Sequence, residues 1–299
     1  MTSRETDRAR PWSAFRQNLF VVPLRYLLRR QSLCDKSNKG TDVTQGSPTL
    51  EASPEWRKRW CLLAAKIERI ESDKEEQLLL QRISSSSQPL VVAFANAHAM
   101  NSIVKSASFF EAIRSADVVL RDGSGMATLF KLLGTSPGLN LNGTDFIPKI
   151  LRRFNGRRIA FFGTQEPFLS RGSLAAAERY APESTFASAH GFLEVDAYLA
   201  LAATHQPDLI VLGMGMPRQE IVAAALRSTL DRPCVIVCGG AIIDFLAGRT
   251  PRAPRWIRRA GMEWAFRLAL EPKRLFQRYV VGNPVFLTRA LVLAASSEK

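Results

Sequence analysis

The chain has 299 residues, enough to bury a substantial core and to form one large α/β domain or one domain with appendages. No window approaches the roughly 18 apolar residues of a membrane-spanning helix, which argues against a spanning protein. The formal net charge is +14, and ten Lys or Arg against three Glu from residue 252 onward put half of it in about a sixth of the chain, an asymmetry that points to a polyanionic partner, either a membrane surface or a nucleic acid.

Residues 1–54 are rich in Ser, Thr, Arg and Gly and read as a poorly ordered N-terminal extension. Within it, residues 15–30 mix apolar and basic side chains around Pro23. That segment suits a membrane surface, or equally an arm packing on the body or on another copy of the chain in a homo-oligomer. Its apolar run is too short and too interrupted for a secretory signal. Of the four cysteines, Cys34, Cys61, Cys234 and Cys238, none makes a metal-binding pair. Cys234 and Cys238 fall on one face of a strand, so they cannot bridge and read as small core residues in a reducing compartment.

Residues 56–82 are helical by pattern, with Leu62, Leu63, Ile67, Ile70 and residues 78–80 as the apolar positions, and Ser84 to Ser87 form a linker. An α/β rhythm then begins. Residues 90–95, 117–120, 158–163, 208–213 and 234–239 are apolar, β-rich runs, and 185–189 is a weaker one. Helical patterns lie between them near 102–114, 125–134, 144–154, 167–180, 194–204 and 218–229. The alternation predicts an α/β, Rossmann-like body over residues 55–248, its mainly parallel sheet covered by helices on both faces. After Gly248 a basic, tryptophan-bearing run ends in the apolar stretch 285–295, so residues 249–299 read as a basic, helical C-terminal appendage. No internal repeat is apparent.

Ligands of such sheets bind beyond the carboxyl ends of the strands. Asp208-Leu-Ile-Val-Leu-Gly-Met-Gly-Met-Pro-Arg-Gln-Glu220 is a buried strand, a Gly213-x-Gly215 turn and a helix start at Pro217. The free N–H groups there make a seat for phosphate, although a tight connection alone would look the same. Arg218 stands where the dinucleotide fingerprint needs its third glycine, which weakens an NAD site. At the end of the first predicted strand, Asn96 and His98 offer groups for sugar hydroxyls or phosphate, and Asn101 suits the N-cap of the next helix. Asp122, between a strand and Gly123-Ser-Gly125, is placed to take a proton from an attacking hydroxyl, or to serve as an Asx-turn or N-cap aspartate. Asn142 and Thr144 face a ligand or begin a helix, and Asp145 suits a helix N-terminus. Gly239 and Gly240 permit close approach of a ligand to the backbone, whereas Asp244, a turn into the next helix, reads as structural. His190, at the end of the weaker β run, has no obvious partner in the sequence.

Several site types are missing. There is no Asp-x-Asp pair, no Walker lysine motif and no Gly-x-Ser-x-Gly elbow, and the three histidines lie too far apart for a zinc site. Metal-free chemistry on a nucleotide-activated substrate survives these exclusions.

Taken in order, Asn96-Ala-His98, Asp117-Val-Val-Leu-Arg-Asp-Gly-Ser-Gly125, Asn142-Gly-Thr-Asp145, Gly213-Met-Gly-Met-Pro-Arg-Gln-Glu220, Gly239-Gly-Ala-Ile-Ile-Asp244, Arg252-Ala-Pro-Arg-Trp256 and Gly261-Met-Glu-Trp264 resemble the WecG/TagA/CpsF glycosyltransferases over roughly residues 60 to 285. The resemblance implies transfer of a hexose-type sugar from a UDP-sugar to a polyprenyl-diphosphate-linked acceptor sugar, with inversion and with neither metal nor cofactor. It implies a cytoplasmic enzyme, peripheral on the inner face of the plasma membrane, working in bacterial surface or exopolysaccharide assembly. By the same resemblance Asp122 is the base, Gln219 helps hold the nucleotide sugar, and Arg267 and Arg274 engage its diphosphate; Arg278 is added on charge. Trp256, Trp264, Phe266 and Phe276 lie among the tail arginines and suit an anionic lipid surface. Members of the family carry a threonine before the first asparagine and an arginine before Gly-Thr-Asp. Ala95 and the run Asn140-Leu-Asn142 stand there instead, and the Asn96-Ala-His98 and Asn140-Leu-Asn-Gly-Thr-Asp145 forms look more like the exopolysaccharide members. Two other classes remain as alternatives. A basic nucleic-acid-binding Rossmann module fits the charge but shows no recognisable motif, so nucleic acid is not the expected partner. An NAD-dependent sugar-nucleotide oxidoreductase meets the objection of Arg218.

Overall fold

A computed structural model describes residues 54–296; the N-terminal extension and its 15–30 segment lie outside the described residues. In chain order, α1 (Pro54–Lys66), β1 (Ile67–Glu68) and α2 (Asp73–Ser84) precede β2 (Leu90–Ala95), α3 (Ala97–Lys105) and α4 (Ala107–Ser115). Next come β3 (Val118–Arg121), α5 (Gly123–Leu132), α6 (Gly143–Arg153), β4 (Arg158–Gly163), α7 (Phe168–Tyr180) and β5 (Thr185–Ala189). Then α8 (Val195–His205), β6 (Leu209–Gly213), α9 (Arg218–Thr229), β7 (Val235–Cys238) and α10 (Ile242–Leu246) complete the α/β alternation. The chain goes on as α11 (Arg255–Arg259), α12 (Glu263–Leu270), α13 (Pro272–Phe276), a π-helical turn (Gln277–Val281) and α14 (Gly282–Ala295).

The strands form one seven-stranded sheet in the order β1-β3-β2-β7-β6-β4-β5, parallel at every pairing. The inner strands β2, β3, β4, β6 and β7 bury both faces, which is why they read in sequence as nearly continuous apolar runs, whereas the edge strand β5 is partly exposed and reads more weakly. In β2, Ala93 and Ala95 join one apolar cluster and Val92 and Phe94 the other. In β6, Ile210 and Leu212 divide from Leu209 and Val211 in the same way. Cys234 and Cys238 both belong to the first cluster as unpaired, buried thiols.

Three expectations are corrected. Residues 56–82 are not one helix. The chain leaves α1 at Lys66, pairs Ile67 and Glu68 with Val119 and Leu120 of β3, and restarts at Ser72, whose hydroxyl accepts the Glu75 N–H. A Ser-x-x-Glu cap signal was present in the sequence, hidden beneath a helical apolar spacing. The pattern near 102–114 is likewise two helices, separated at Ser106, whose hydroxyl caps α4 through the Phe109 N–H. Asn101 is not an N-cap, because Asn96 holds that position for α3. Asn101 instead donates to the Gly282 carbonyl (2.7 Å) and accepts from Arg289 (3.1 Å), fixing the start of α14 on the body.

Pairing continues one residue past the central strands and assembles their ends. The Asp122 N–H donates to the Ala95 carbonyl (2.9 Å) and the Gly239 N–H to that of Leu212 (2.7 Å). Gly163 and Gly213 face each other where β4 and β6 finish; a Cβ on Gly163 would stand 2.5 Å from the Gly213 backbone, so no larger residue fits. These two turns share a plan that the sequence did not show as a repeat, with a cis proline, Pro167 or Pro217, four residues after the glycine. The last helix packs into the body. Phe286, Ala290 and Leu293 join the first apolar cluster, and the Phe286 ring lies 5.3 Å from that of Trp60 on α1.

Candidate active site

The carboxyl ends of β2, β3, β6 and β7, roofed by α12, α13 and the π-helical turn, enclose a cavity of about 570 Å³. That volume lies within the roughly 300–1,000 Å³ of small-molecule sites. A hollow of about 170 Å³ beside Asp73, Glu76 and Lys149 is too small for a nucleotide.

Asn96 joins the first two strand ends. Its side-chain oxygen caps α3 through the Ala99 N–H (3.0 Å), while its NH2 donates to the Asp122 carboxylate (3.1 Å). Asp122 occupies the N-cap position of α5 by backbone geometry, yet its side chain makes no capping bond. The Gly123 N–H goes instead to the Asn140 side-chain oxygen (2.9 Å). Buried Arg121 stiffens the turn by donating to the carbonyls of Gly123 (3.0 Å) and Gly138 (2.9 Å). The Asp122 carboxylate is thereby spared from structural duty and lines the cavity, half-buried, with Asn96 as its hydrogen-bond donor. His98, in the first turn of α3, also lines the cavity. Burial, reinforced by the charges of Arg278 and Lys105, pushes its pKa down to about 4, so it presents a neutral imidazole at neutral pH.

Asn142 lines the cavity but serves the cap of α6, accepting the Asp145 N–H (3.0 Å) and donating to the Asp145 carboxylate (2.9 Å). Burial alone would push the Asp145 carboxyl up; hydrogen bonds from Arg252 (2.6 Å) and Asn142 outweigh it and hold the group below its ordinary range. Thr144, one residue into that helix, faces the cavity with its hydroxyl uncommitted among the described residues.

On the other side, Gly213, Gly215, Gly239 and Gly240 form the wall. Gln219, only 1% exposed, braces it: its side-chain oxygen accepts the Gly240 N–H (2.9 Å) and its NH2 donates to Glu220 (2.8 Å). One amide hydrogen of Gln219 is left for a ligand. Burial drives the Glu220 carboxyl up to about 7, against the pull of the Gln219 hydrogen bond. Arg218 donates to the Leu193 carbonyl, so the side chain that replaces the third glycine is directed into the body. Asp244 reaches the cavity rim, accepting from Thr164 (2.6 Å) and pairing with Arg249 (3.4 Å). His190 accepts from the Phe192 N–H (3.3 Å) and is not a cavity residue.

The C-terminal helices contribute Arg267, Arg274 and Arg278 to the same cavity. Their states differ. Arg274 is paired with Glu271 through both carboxylate oxygens, one contact at 2.7 Å. Arg267 lies 5.5 Å from the Phe245 ring centre and Arg278 5.3 Å from that of Tyr279, and among the described residues neither has a hydrogen-bond or ion-pair partner. The structure thus gathers Asn96, His98, Asp122, Asn142, Thr144, Gly213, Gly215, Gln219, Gly239, Gly240, Arg267, Arg274 and Arg278 around one space. It adds Asn140, Glu263, Tyr279 and Asn283, which sequence reasoning missed. A signal existed for Glu263, because Glu263, Arg267, Arg274 and Arg278 recur at helical intervals of four, seven and four. Trp264 lines the cavity, Phe266 is half-buried, and Trp256 and Phe276 are exposed.

Comparison with known proteins follows the same lines. The family model described as "Glycosyl transferase WecG/TagA/CpsF family" matches residues 60–299. Similar curated relatives occur in Staphylococcus aureus strains NCTC 8325 / PS 47 and MRSA252. Each is 24% identical over 235 residues, spanning 75% of this chain and 91% of the relative. Both are named N-acetylglucosaminyldiphosphoundecaprenol N-acetyl-beta-D-mannosaminyltransferase.

Proposed function

The chain belongs to the WecG/TagA/CpsF family of glycosyl transferases, and from that premise we propose that it moves a hexose-type sugar from a UDP-sugar to a polyprenyl-diphosphate-linked acceptor sugar. The transfer inverts the anomeric centre, uses no metal, and serves bacterial surface or exopolysaccharide assembly. The observation that carries this is the Asp122 carboxylate, free of capping duty at the end of β3 and facing a cavity that also holds Arg267 and Arg278, which have no hydrogen-bond or ion-pair partner among the described residues.

Asp122 accepts the proton of the acceptor hydroxyl. The hydroxyl oxygen attacks the anomeric carbon from the face opposite the diphosphate. The bond from that carbon to the diphosphate oxygen breaks, and UDP leaves with the electron pair. Arg267, Arg278 and backbone N–H groups of the glycine turns oppose the charge that grows on the leaving oxygen. Family membership leaves the oxidoreductase and nucleic-acid alternatives without support.

The test is a panel of UDP-sugars with N-acetylglucosaminyl-diphospho-undecaprenol, the acceptor in the relatives' names. The expected result is UDP release that depends on the acceptor, with a β- or α-linked product of inverted configuration. No acceptor-dependent release with any UDP-sugar overturns the proposal.

We place the enzyme peripherally on the inner face of the plasma membrane. Among the described residues no helix is long and apolar enough to cross a membrane. Exposed Trp256 and Phe276 stand among exposed Arg255, Arg259 and Lys273, a mixture suited to anionic lipid at about 1 kcal/mol per basic residue. Truncation would be a poor test, since it strips Phe286, Ala290 and Leu293 from the core. Full-length chain carrying Trp256→Ser and Phe276→Ser is expected to co-sediment less with phosphatidylglycerol vesicles than wild type does. Equal sedimentation removes this surface from membrane binding.

A further inference from the structure

Asp122 is not alone on its side of the cavity. The loop before α12 docks on the turn that carries it: the Ser124 hydroxyl donates to the Gly261 carbonyl (3.1 Å). Gly261 has φ +70°, and a Cβ there would come within 3.2 Å of the Ser124 Cβ, so glycine is what lets the two backbones approach. Two residues later, Glu263 opens α12 and lines the same cavity.

Among the described residues its carboxylate has no hydrogen-bond or ion-pair partner. Burial raises its pKa, the charge of Asp122 adds to the rise, and Arg252, Arg267 and Arg258 pull it back only in part. A half-buried carboxylate beside a second carboxylate is costly unless a ligand satisfies it. That ligand is not a diphosphate, which it would repel; the unpaired arginines serve that group. What a carboxylate holds well at this place is a sugar hydroxyl, through a charge-assisted hydrogen bond. A first-turn acid also suits the dipole of α12, a structural role that the test must separate.

Building on the glycosyl-transfer proposal above, we propose that Glu263 binds the acceptor sugar: it accepts a hydrogen bond from a hydroxyl near the nucleophilic one, and so aligns the nucleophile on Asp122. The C-terminal helices then supply acceptor recognition as well as charge, and the Ser124–Gly261 contact sets the spacing between the two carboxylates.

Kinetics are measured on full-length Glu263→Ala and Glu263→Gln with N-acetylglucosaminyl-diphospho-undecaprenol and whichever UDP-sugar of the panel turns over, and UDP binding by calorimetry. For Glu263→Ala the acceptor KM is expected to rise roughly 10- to 100-fold, the loss of one hydrogen bond to a charged group. The Kd for UDP and the melting temperature should stay near wild type. Glu263→Gln should recover part of the loss, because the amide oxygen still accepts. An unchanged acceptor KM in Glu263→Ala overturns the proposal. So does a rise in acceptor KM accompanied by equal weakening of UDP and a lower melting temperature, which marks a structural residue. A wild-type chain that binds no UDP and transfers no sugar defeats the glycosyl-transfer proposal itself, and this one with it; a wild type that turns over beside an unaffected Glu263→Ala defeats only this one.

Discussion

Asp122→Asn is expected to lower kcat about 10²- to 10⁴-fold, the usual worth of a positioned base, while the protein stays folded. Stability should be spared for a local reason. The Asp122 side chain caps nothing, and its hydrogen bond comes from the Asn96 NH2, which an asparagine oxygen can still accept. The substitution therefore removes the proton acceptor and leaves its surroundings in place. UDP release measures the rate, UDP titration the nucleotide site, and thermal melting the fold. Unaltered melting and UDP affinity with a collapsed rate would assign the loss to chemistry. A rate within a few-fold of wild type would take Asp122 out of the proton transfer.

The second large effect concerns the arginines, which should not be equivalent. Among the described residues neither Arg267 nor Arg278 has a hydrogen-bonded or ion-paired acid, whereas Arg274 is engaged by Glu271. Charge already neutralised does less for a leaving diphosphate. Arg267→Ala combined with Arg278→Ala should cost about 10²- to 10³-fold in kcat/KM, comparable with removing a preorganised donor from other transition states. Arg274→Ala should cost less than either single replacement of the unpaired arginines. Initial rates of UDP release on the three single variants and the double variant test this order. A larger loss for Arg274→Ala would mean that the Glu271 pair opens when substrate binds.

Much of this site was legible in sequence because its parts lie at the ends of strands that bury both faces. Gly213 and Gly239 follow an apolar run directly and Asp122 follows one after the single residue Arg121, so the rule for open parallel sheets points to all three. Two features resisted. The edge strand β1 is two residues long, and its Ile67 fits a helical spacing as well as a strand. Tyr279 and Asn283 acquire their place only when the tail helices fold back over the sheet, which nothing in a local pattern announces, and the spacing that ties Glu263 to the tail arginines does not say that they face the strand ends. Engagement was also invisible. The sequence leaves Asn142 to face a ligand or to begin a helix, and the family resemblance gives Gln219 to the nucleotide sugar; both line the cavity, yet most of their amide capacity is spent on Asp145, Gly240 and Glu220.

The order of the parts along the chain has a consequence for biosynthesis. Every strand, together with Asp122 and the glycine turns, precedes Gly248, whereas the cavity-lining arginines and Glu263 follow it. A nascent polypeptide thus carries Asp122, the proton acceptor of the proposed mechanism, before it owns those cations. Under that mechanism an unfinished molecule lacks the groups that oppose charge on the leaving diphosphate, so transfer is expected to begin only once the tail has folded over the sheet.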